Sequence, residues 1–277
     1  MQIQQARAHI MATLASGESP RADADALLCH LLDCRRSYLM TWPEHELDAD
    51  QQATLAGWLA RRLNGEPIAH LIGEREFWSL PLKVSPATLI PRPDTEVLVE
   101  QALARLQDGP CALLDLGTGT GAIALALKSE RPDADVWAVD RMPAAAALAR
   151  TNSAALGLPI EVRDGSWFAP LSDAPRFAMI VSNPPYIDGT DPHLHEGDVR
   201  FEPRSALVAE EQGLADIRLI VTQAPAHLVP GGWLLLEHGW DQGEAVRQLL
   251  LQQGYVQVET VRDYGDNERV TLGRLAQ

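Results

Sequence analysis

The apolar positions change their spacing along the chain. From Ile3 to Ala15 they fall at Ile3, Ala6, Ile10, Met11 and Leu14, the spacing of one helix face. Ser19-Pro20 punctuates this stretch, and Asp23 to Asp33 resumes it with Ala26, Leu27, Cys29, His30, Leu31 and Leu32. A third helix is predicted over Asp48 to Asn64, carrying Leu55, Trp58, Leu59 and Leu63 and stopping at Gly65. Phe77 to Ser85 is short, aromatic and interrupted by Pro81, which suits a hairpin or an extended connector. The prolines of Leu89-Ile90-Pro91-Arg92-Pro93-Asp94-Thr95-Glu96 impose an extended approach to a helix through Val97, Leu98, Ala102 and Leu106, with Asp94 or Thr95 as its cap.

Beyond residue 111 short apolar runs alternate with helical periods. Strands are predicted at 112–116, 136–139, 160–162, 177–181 and 233–237, and helices at 122–129, 143–156, 216–227 and 242–253. Two last strands, 256–261 and 269–275, have only a polar turn between them. A parallel crossover needs about a dozen residues, so this pair must be antiparallel. The pattern predicts an α/β chain: a doubly wound sheet with a terminal antiparallel hairpin, preceded by a small N-terminal helical bundle. Residues 1–75 are expected to be the helical domain, 76–96 the hairpin or connector, and 97–277 the sheet domain.

Composition narrows the class. The chain has 277 residues, 46% of them apolar, enough for two cores. No run approaches the ~20 apolar residues of a membrane span. The polar start, Met1 to Arg7, lacks the layout of a signal peptide, so a cytoplasmic protein without membrane attachment is expected. Cys29, His30 and Cys34 read as small residues of a helix, since zinc needs a second clustered pair. His193 and His195 lack such company too, and no metal is expected. The net charge is −15 without any Lys/Arg cluster, a poor surface for phosphate backbones.

Two stretches carry chemistry. Asp115-Leu116-Gly117-Thr118-Gly119-Thr120-Gly121 lies between a strand and a helix, where glycines let the backbone turn tightly and approach a ligand. Asp140 ends the next strand, a position suited to ribose hydroxyls. Gly117-x-Gly119-x-x-Ala122 also satisfies the dinucleotide fingerprint, so a nicotinamide-dependent oxidoreductase is a rival. Against it, Asp115 stands just ahead of the first glycine, where a sulfonium cofactor is accommodated and a pyrophosphate gains nothing. The second stretch, Asn183-Pro184-Pro185-Tyr186, follows the fourth strand of the sheet, beyond whose carboxyl end ligands bind. A conjugated amide or aromatic amine is a weak nucleophile, because its lone pair is delocalised. The Asn183 side-chain oxygen and the Pro184 carbonyl can accept its N–H bonds, Pro185 stiffens the turn, and the Tyr186 ring can lie against a planar group.

On these residues the chain resembles the bacterial release factor glutamine methyltransferases. The likeness includes Gly65-Glu66-Pro67-Ile68-Ala69-His70-Leu71, Phe77-Trp78, Leu89 to Glu96, Asp115 to Gly121, Asn183 to Tyr186, Arg200-Phe201-Glu202-Pro203 and Arg262 to Arg269. It implies a class I methyltransferase sheet and S-adenosylmethionine as cofactor. The implied substrate is the glutamine of the Gly-Gly-Gln tripeptide in peptide chain release factors. Asn183 and Pro184 would grip its amide and Tyr186 stack on it. Asp115, Gly117, Thr118, Gly119, Thr120, Gly121, Asp140, Trp167 and Asn183 would contact the cofactor, with Trp167 over the adenine. One position departs from the family pattern: Ser166 stands where an acidic residue often precedes that aromatic, with Asp164 two residues earlier. A ribosomal-protein glutamine methyltransferase shares the fold and the tetrapeptide, and only Pro91 to Glu96 favours the release factor branch. A nucleic-acid adenine methyltransferase shares the tetrapeptide but not the acidic surface.

Overall fold

A computed structural model describes residues 1–15, 17 and 19–277. The chain divides into two units, Met1–Glu74 with Gly197–Phe201, and Arg75–Glu196 with Glu202–Gln277. Among the described residues no helix is long and apolar enough to cross a membrane.

The first unit contains α1 (Ile3–Thr13), α2 (Pro20–Leu31), α3 (Arg36–Thr41), α4 (Ala49–Leu63) and α5 (Ile68–Ile72). Helix α2 begins on Pro20 rather than at Asp23, because a proline at the first helical position loses only an N–H that has no partner anyway. Asp48 and Gln51 exchange side-chain and backbone hydrogen bonds of 2.8 and 3.0 Å, and this capping box starts α4. Helices α3 and α5, six and five residues long, are too short to show a period in sequence. Ile3, Ile10, Leu27, Leu28, Leu39 and Leu55 form the core of this unit. Asp25 is buried within it. Burial raises its pKa, but the guanidinium groups of Arg7 and Arg36 outweigh that and hold it below the usual carboxylate value. Asp198 accepts from Arg62 at 2.7 Å, joining the 197–201 segment to the helices.

The second unit opens with a hairpin of β1 (Glu74–Phe77) and β2 (Leu80–Lys83). Trp78 and Ser79 at its tip have φ of 52° and 59°, the left-handed pair a two-residue hairpin turn requires. Helix α6 (Glu96–Leu103) follows. Then come β3 (Ala112–Leu116), α7 (Ala122–Glu130), β4 (Asp135–Asp140), α8 (Pro143–Leu156), β5 (Glu161–Asp164) and β6 (Phe177–Ser182). A small pair, β7 (Ile187–Asp188) and β8 (Val208–Ala209), brackets α9 (Arg204–Leu207). The chain closes with α10 (Ala215–Gln223), β9 (Leu228–Glu237), α11 (Gly243–Gln252), β10 (Tyr255–Arg262) and β11 (Glu268–Leu275).

The seven-stranded sheet has the order β10-β11-β9-β6-β3-β4-β5. All neighbours are parallel except β11, which is antiparallel to both β9 and β10. Successive residues of β3 feed opposite faces: Leu113 joins one core, Leu114 and Leu116 the other. Strands buried on both faces read as unbroken apolar runs, which is why these were visible in the sequence. Strand β9 starts five residues before Trp233. Pro230-Gly231-Gly232 reads as a turn but is absorbed as a register shift against β6.

From β3 the sheet proceeds to β4 and β5 on one side and to β6 and β9 on the other. The switch point is therefore between β3 and β6, where open α/β sheets bind ligands. Leu116 pairs with Ser182 there, and the Ser182 hydroxyl donates to the Leu116 carbonyl at 2.7 Å. The segments leaving these two strands, the glycine loop and Asn183 to Tyr186, emerge side by side.

Candidate active site

Three glycines shape the loop after β3. Gly117, Gly119 and Gly121 have φ of 72°, 56° and 85°, values that other residues adopt only with strain. A Cβ on Gly117 would lie 3.5 Å from the Trp167 ring, so the missing side chain also lets that aromatic close over the loop. Asp140, ending β4, accepts from the Gly119 N–H at 2.9 Å and from the Met142 N–H at 2.8 Å. Its carboxyl thus ties the loop to the start of α8, and burial raises its pKa.

Asp115 is wholly buried beneath the loop. One carboxylate oxygen, Oδ2, accepts from the Thr118 hydroxyl at 2.6 Å and the Ala124 N–H at 3.2 Å. The other, Oδ1, has no hydrogen-bond partner. Burial, against the pull of those two donors, pushes its pKa up to about 7.

A cleft of about 890 Å³, counting its open mouth, lies over the switch point. Gly117, Thr118, Gly119, Thr120, Asp140, Trp167, Asn183 and Pro185 line it. Asp115 and Gly121 do not: the first supports the loop from behind and the second starts α7. Pro184 and Tyr186 are not on its wall either. Ser166 is exposed, and Asp164 is paired with Arg150, so neither joins the cleft.

Sequence reasoning missed part of the wall. Phe77, Thr88, Leu89, Pro91, Arg92 and Thr95 come from the segment read as a connector. Asn152 explains how that segment is held. Its amide accepts from the Lys83 N–H and donates to the carbonyls of Lys83 and Thr120, linking β2 to the glycine loop. Arg92 forks onto both oxygens of the buried Glu202 at 2.8 Å, and Glu202 also accepts from the Ile90 N–H. The sequence proposed Asp94 or Thr95 as a helix cap. Neither side chain caps: a 3₁₀ turn over Pro93–Thr95 runs directly into α6. The Thr95 hydroxyl instead accepts from the Asn183 side-chain Nδ2 at 3.3 Å.

The tetrapeptide is braced from the far side. Gln242 donates to the carbonyls of Tyr186 and Gln212 at 3.0 and 3.1 Å. Gly213 packs so tightly there that a Cβ would stand 2.0 Å from the Tyr186 carbonyl oxygen, at a φ of +84°. Gly213→Ala should therefore lower thermal stability by at least about 2 kcal/mol, roughly 5 °C or more for a chain of this size. Gly57→Ala is the control. That glycine has nothing within 4 Å of its added Cβ and sits inside α4, so its replacement should be neutral or stabilising. Equal melting temperatures for the two variants would refute the close approach at Tyr186.

Comparison with known proteins bears on what this site does. Residues 5–73 match the PrmC N-terminal domain family and residues 93–198 the methyltransferase small domain family. The release factor glutamine methyltransferase of Escherichia coli K12 is 61% identical over 95% of this chain and 95% of its own. That of Salmonella typhimurium LT2 is 62% identical over 94% of each. The chain belongs to the release factor glutamine methyltransferase family. A solved methyltransferase from Pyrococcus furiosus has the same fold, with a TM-score of 0.56 at 18% identity, covering 80% of this chain and all of that one.

As a member of this methyltransferase family, the enzyme takes S-adenosylmethionine as its methyl donor. The loop suits that cofactor: glycine backbone for close approach, a carboxylate ending β4, an aromatic face, and an unpartnered Asp115 oxygen under the cleft. A cation nearby favours ionised Asp115, so binding should drive off its proton below pH 7. S-adenosylmethionine is expected to bind more tightly as pH rises towards 7, with proton release. S-adenosylhomocysteine, whose sulfur is neutral, should release fewer protons. Calorimetry in two buffers of different ionisation enthalpy measures this, and equal release for both would remove Asp115 from any part in meeting the sulfonium charge.

Proposed function

We propose that this enzyme methylates the side-chain amide nitrogen of the glutamine in the Gly-Gly-Gln tripeptide of peptide chain release factors. One observation carries the reading. Asn183 gives its Nδ2 to Thr95, which leaves its side-chain oxygen as the acceptor at the cleft, beside the glycine loop. A substrate NH₂ group is a donor and needs such an acceptor. The names of the relatives supply the class of substrate.

The residues then divide the work. The Asn183 oxygen and the Pro184 carbonyl accept the two N–H bonds of the glutamine amide and fix its plane. This draws electron density towards a nitrogen whose lone pair is otherwise delocalised. Tyr186 offers a ring to the planar group, while its own phenol is held neutral by burial. Gly117 to Thr120, Asp140 and Trp167 would hold the cofactor, which supplies an electrophilic methyl carbon when bound. Positioning the nitrogen in line with that carbon, about 3–3.5 Å away, is the main contribution of the site. No strong base is required, because the nitrogen becomes acidic once methylated. The helical unit, which contributes no residue to the cleft wall, recognises the protein that carries the glutamine.

Incubation with a release factor and labelled S-adenosylmethionine, followed by peptide mapping, tests the reading. Label is expected on the Gly-Gly-Gln glutamine. Label on a ribosomal protein and none on the release factor would replace this substrate.

A further inference from the structure

Glu237 is the last residue of β9, and the sequence gives no sign of a role for it. The sheet register sets it beside the tetrapeptide: Leu236 pairs with Ser182, so the next residues along, Glu237 and Asn183, are neighbours at the carboxyl edge. On its other side β11 pairs Val270 with Glu237 and brings up Arg269. The Glu237 side chain is only 2% exposed. Its Oε2 has no hydrogen-bond partner. Burial pushes its pKa up to about 7, while the hydroxyls of Thr95 and Tyr186 and the charge of Arg269 favour the ionised form, and Asp94 opposes it. A buried carboxyl with one orphan oxygen is costly, and nothing in the packing of β9 calls for it.

The hydroxyl of Thr95 is shared between two neighbours. It faces Glu237 and it accepts from Asn183 Nδ2. A hydroxyl has one hydrogen to give, and an ionised carboxylate can only accept. Once Glu237 takes that hydrogen, Thr95 can meet Asn183 solely as an acceptor. Asn183 must then turn its NH₂ to Thr95 and its oxygen away. An amide turned the other way would set NH₂ against the NH₂ of the substrate, two donors facing each other.

We propose that Glu237 is a positioning residue: by holding the hydrogen of the Thr95 hydroxyl it fixes which end of the Asn183 amide meets the substrate. This rests on the role given above to Asn183. Arg269 keeps the arrangement in place from the opposite side. Asp263 holds the Arg269 Nε at 3.0 Å, and the Asp263 carboxyl is fixed in turn by the N–H groups of Gly265 and Asn267 at 2.9 Å. The turn after β10, polar and featureless as a sequence, thereby reaches the tetrapeptide through one arginine.

Glu237→Gln keeps the shape but can donate as well as accept, so the direction of the relay is lost. Thr95→Val removes the hydroxyl at equal volume, and Thr95→Ser retains it. With a Gly-Gly-Gln peptide as substrate, Glu237→Gln and Thr95→Val should each lower kcat about tenfold to a hundredfold while the cofactor Kd and the melting temperature stay close to wild type. Thr95→Ser should recover most of what Thr95→Val loses. The double variant Glu237→Gln/Thr95→Val should be no slower than the slower single variant, because both break one relay. Wild-type kcat in Glu237→Gln, losses that multiply in the double variant, or losses that follow cofactor affinity would each overturn the proposal. The wild-type enzyme separates the two levels. If it leaves the glutamine amide unmethylated, the substrate reading fails and the proposal with it. If it methylates the amide and the variants match it, the positioning role alone fails.

Discussion

Replacing Asn183 by alanine is expected to remove turnover while leaving cofactor binding nearly intact. The mutation deletes the acceptor that orients the substrate nitrogen and leaves the Thr95 hydroxyl without the Nδ2 donor it has at 3.3 Å. A preorganised polar contact made at the reacting group is worth roughly 2–4 kcal/mol, about 30-fold to 1000-fold in kcat. Cofactor affinity should change by less than about tenfold, since Gly117 to Thr120, Asp140 and Trp167 still line the cleft. Single-turnover kinetics with labelled methyl donor, beside calorimetric titration of S-adenosylhomocysteine, separate the two effects. A variant with near-normal turnover would show that the amide is gripped elsewhere. A variant that lost cofactor and turnover together would make Asn183 chiefly a cofactor ligand.

How much of this was legible before the fold was known depends on the range of the interactions. Local signals read well. Helix α8 runs from Pro143 to Leu156 with Gly157 beyond it, as a proline start and a glycine stop announce. The antiparallel pair at the end followed from chain length alone. The glycine loop and the tetrapeptide stood out because both are short and contiguous. Thr95, Glu202, Gly213, Glu237 and Gln242 did not stand out. Each acts on a residue distant in sequence, and only the strand order makes them neighbours. Thr95 is the clearest case. Its place ahead of a helix is a sound local reason to expect a cap, yet the hydroxyl is used by Asn183, 88 positions away. Glu237 is similar: at the end of an apolar strand it looks like a solvated carboxylate, and it is buried because β6 and β11 flank it. The short helices α3 and α5 escaped for a different reason, being barely more than one turn each.

The helical unit gives the other large expected effect. Removing residues 1–75 should abolish methylation of an intact release factor but leave slow methylation of a Gly-Gly-Gln peptide. All residues that line the cleft belong to the second unit, so the chemical groups survive the cut. What is lost is recognition. A stable protein interface buries about 800 Å² on each partner, far more than one glutamine and its two glycines present to a cleft. A peptide therefore depends on the cleft alone, whereas a folded partner that must offer its glutamine in one orientation depends on a second surface. The cut has one structural consequence that the experiment must control. Residues 197–201 lose Arg62, which holds Asp198 at 2.7 Å, and Asn64, whose carbonyl accepts from Arg200 at 3.2 Å. Glu202, which anchors Arg92 on the cleft wall, follows directly. Melting curves and cofactor titration of the truncated enzyme show whether that wall persists. With the wall intact, the ratio of kcat/KM for release factor to that for peptide is the decisive quantity. Recognition by the helical unit requires the ratio to fall by about a hundredfold or more, the effect of losing roughly 3 kcal/mol of docking energy. A ratio that stays constant while both activities fall would make the unit a stabilising cap, and full activity on the intact protein would exclude it from recognition.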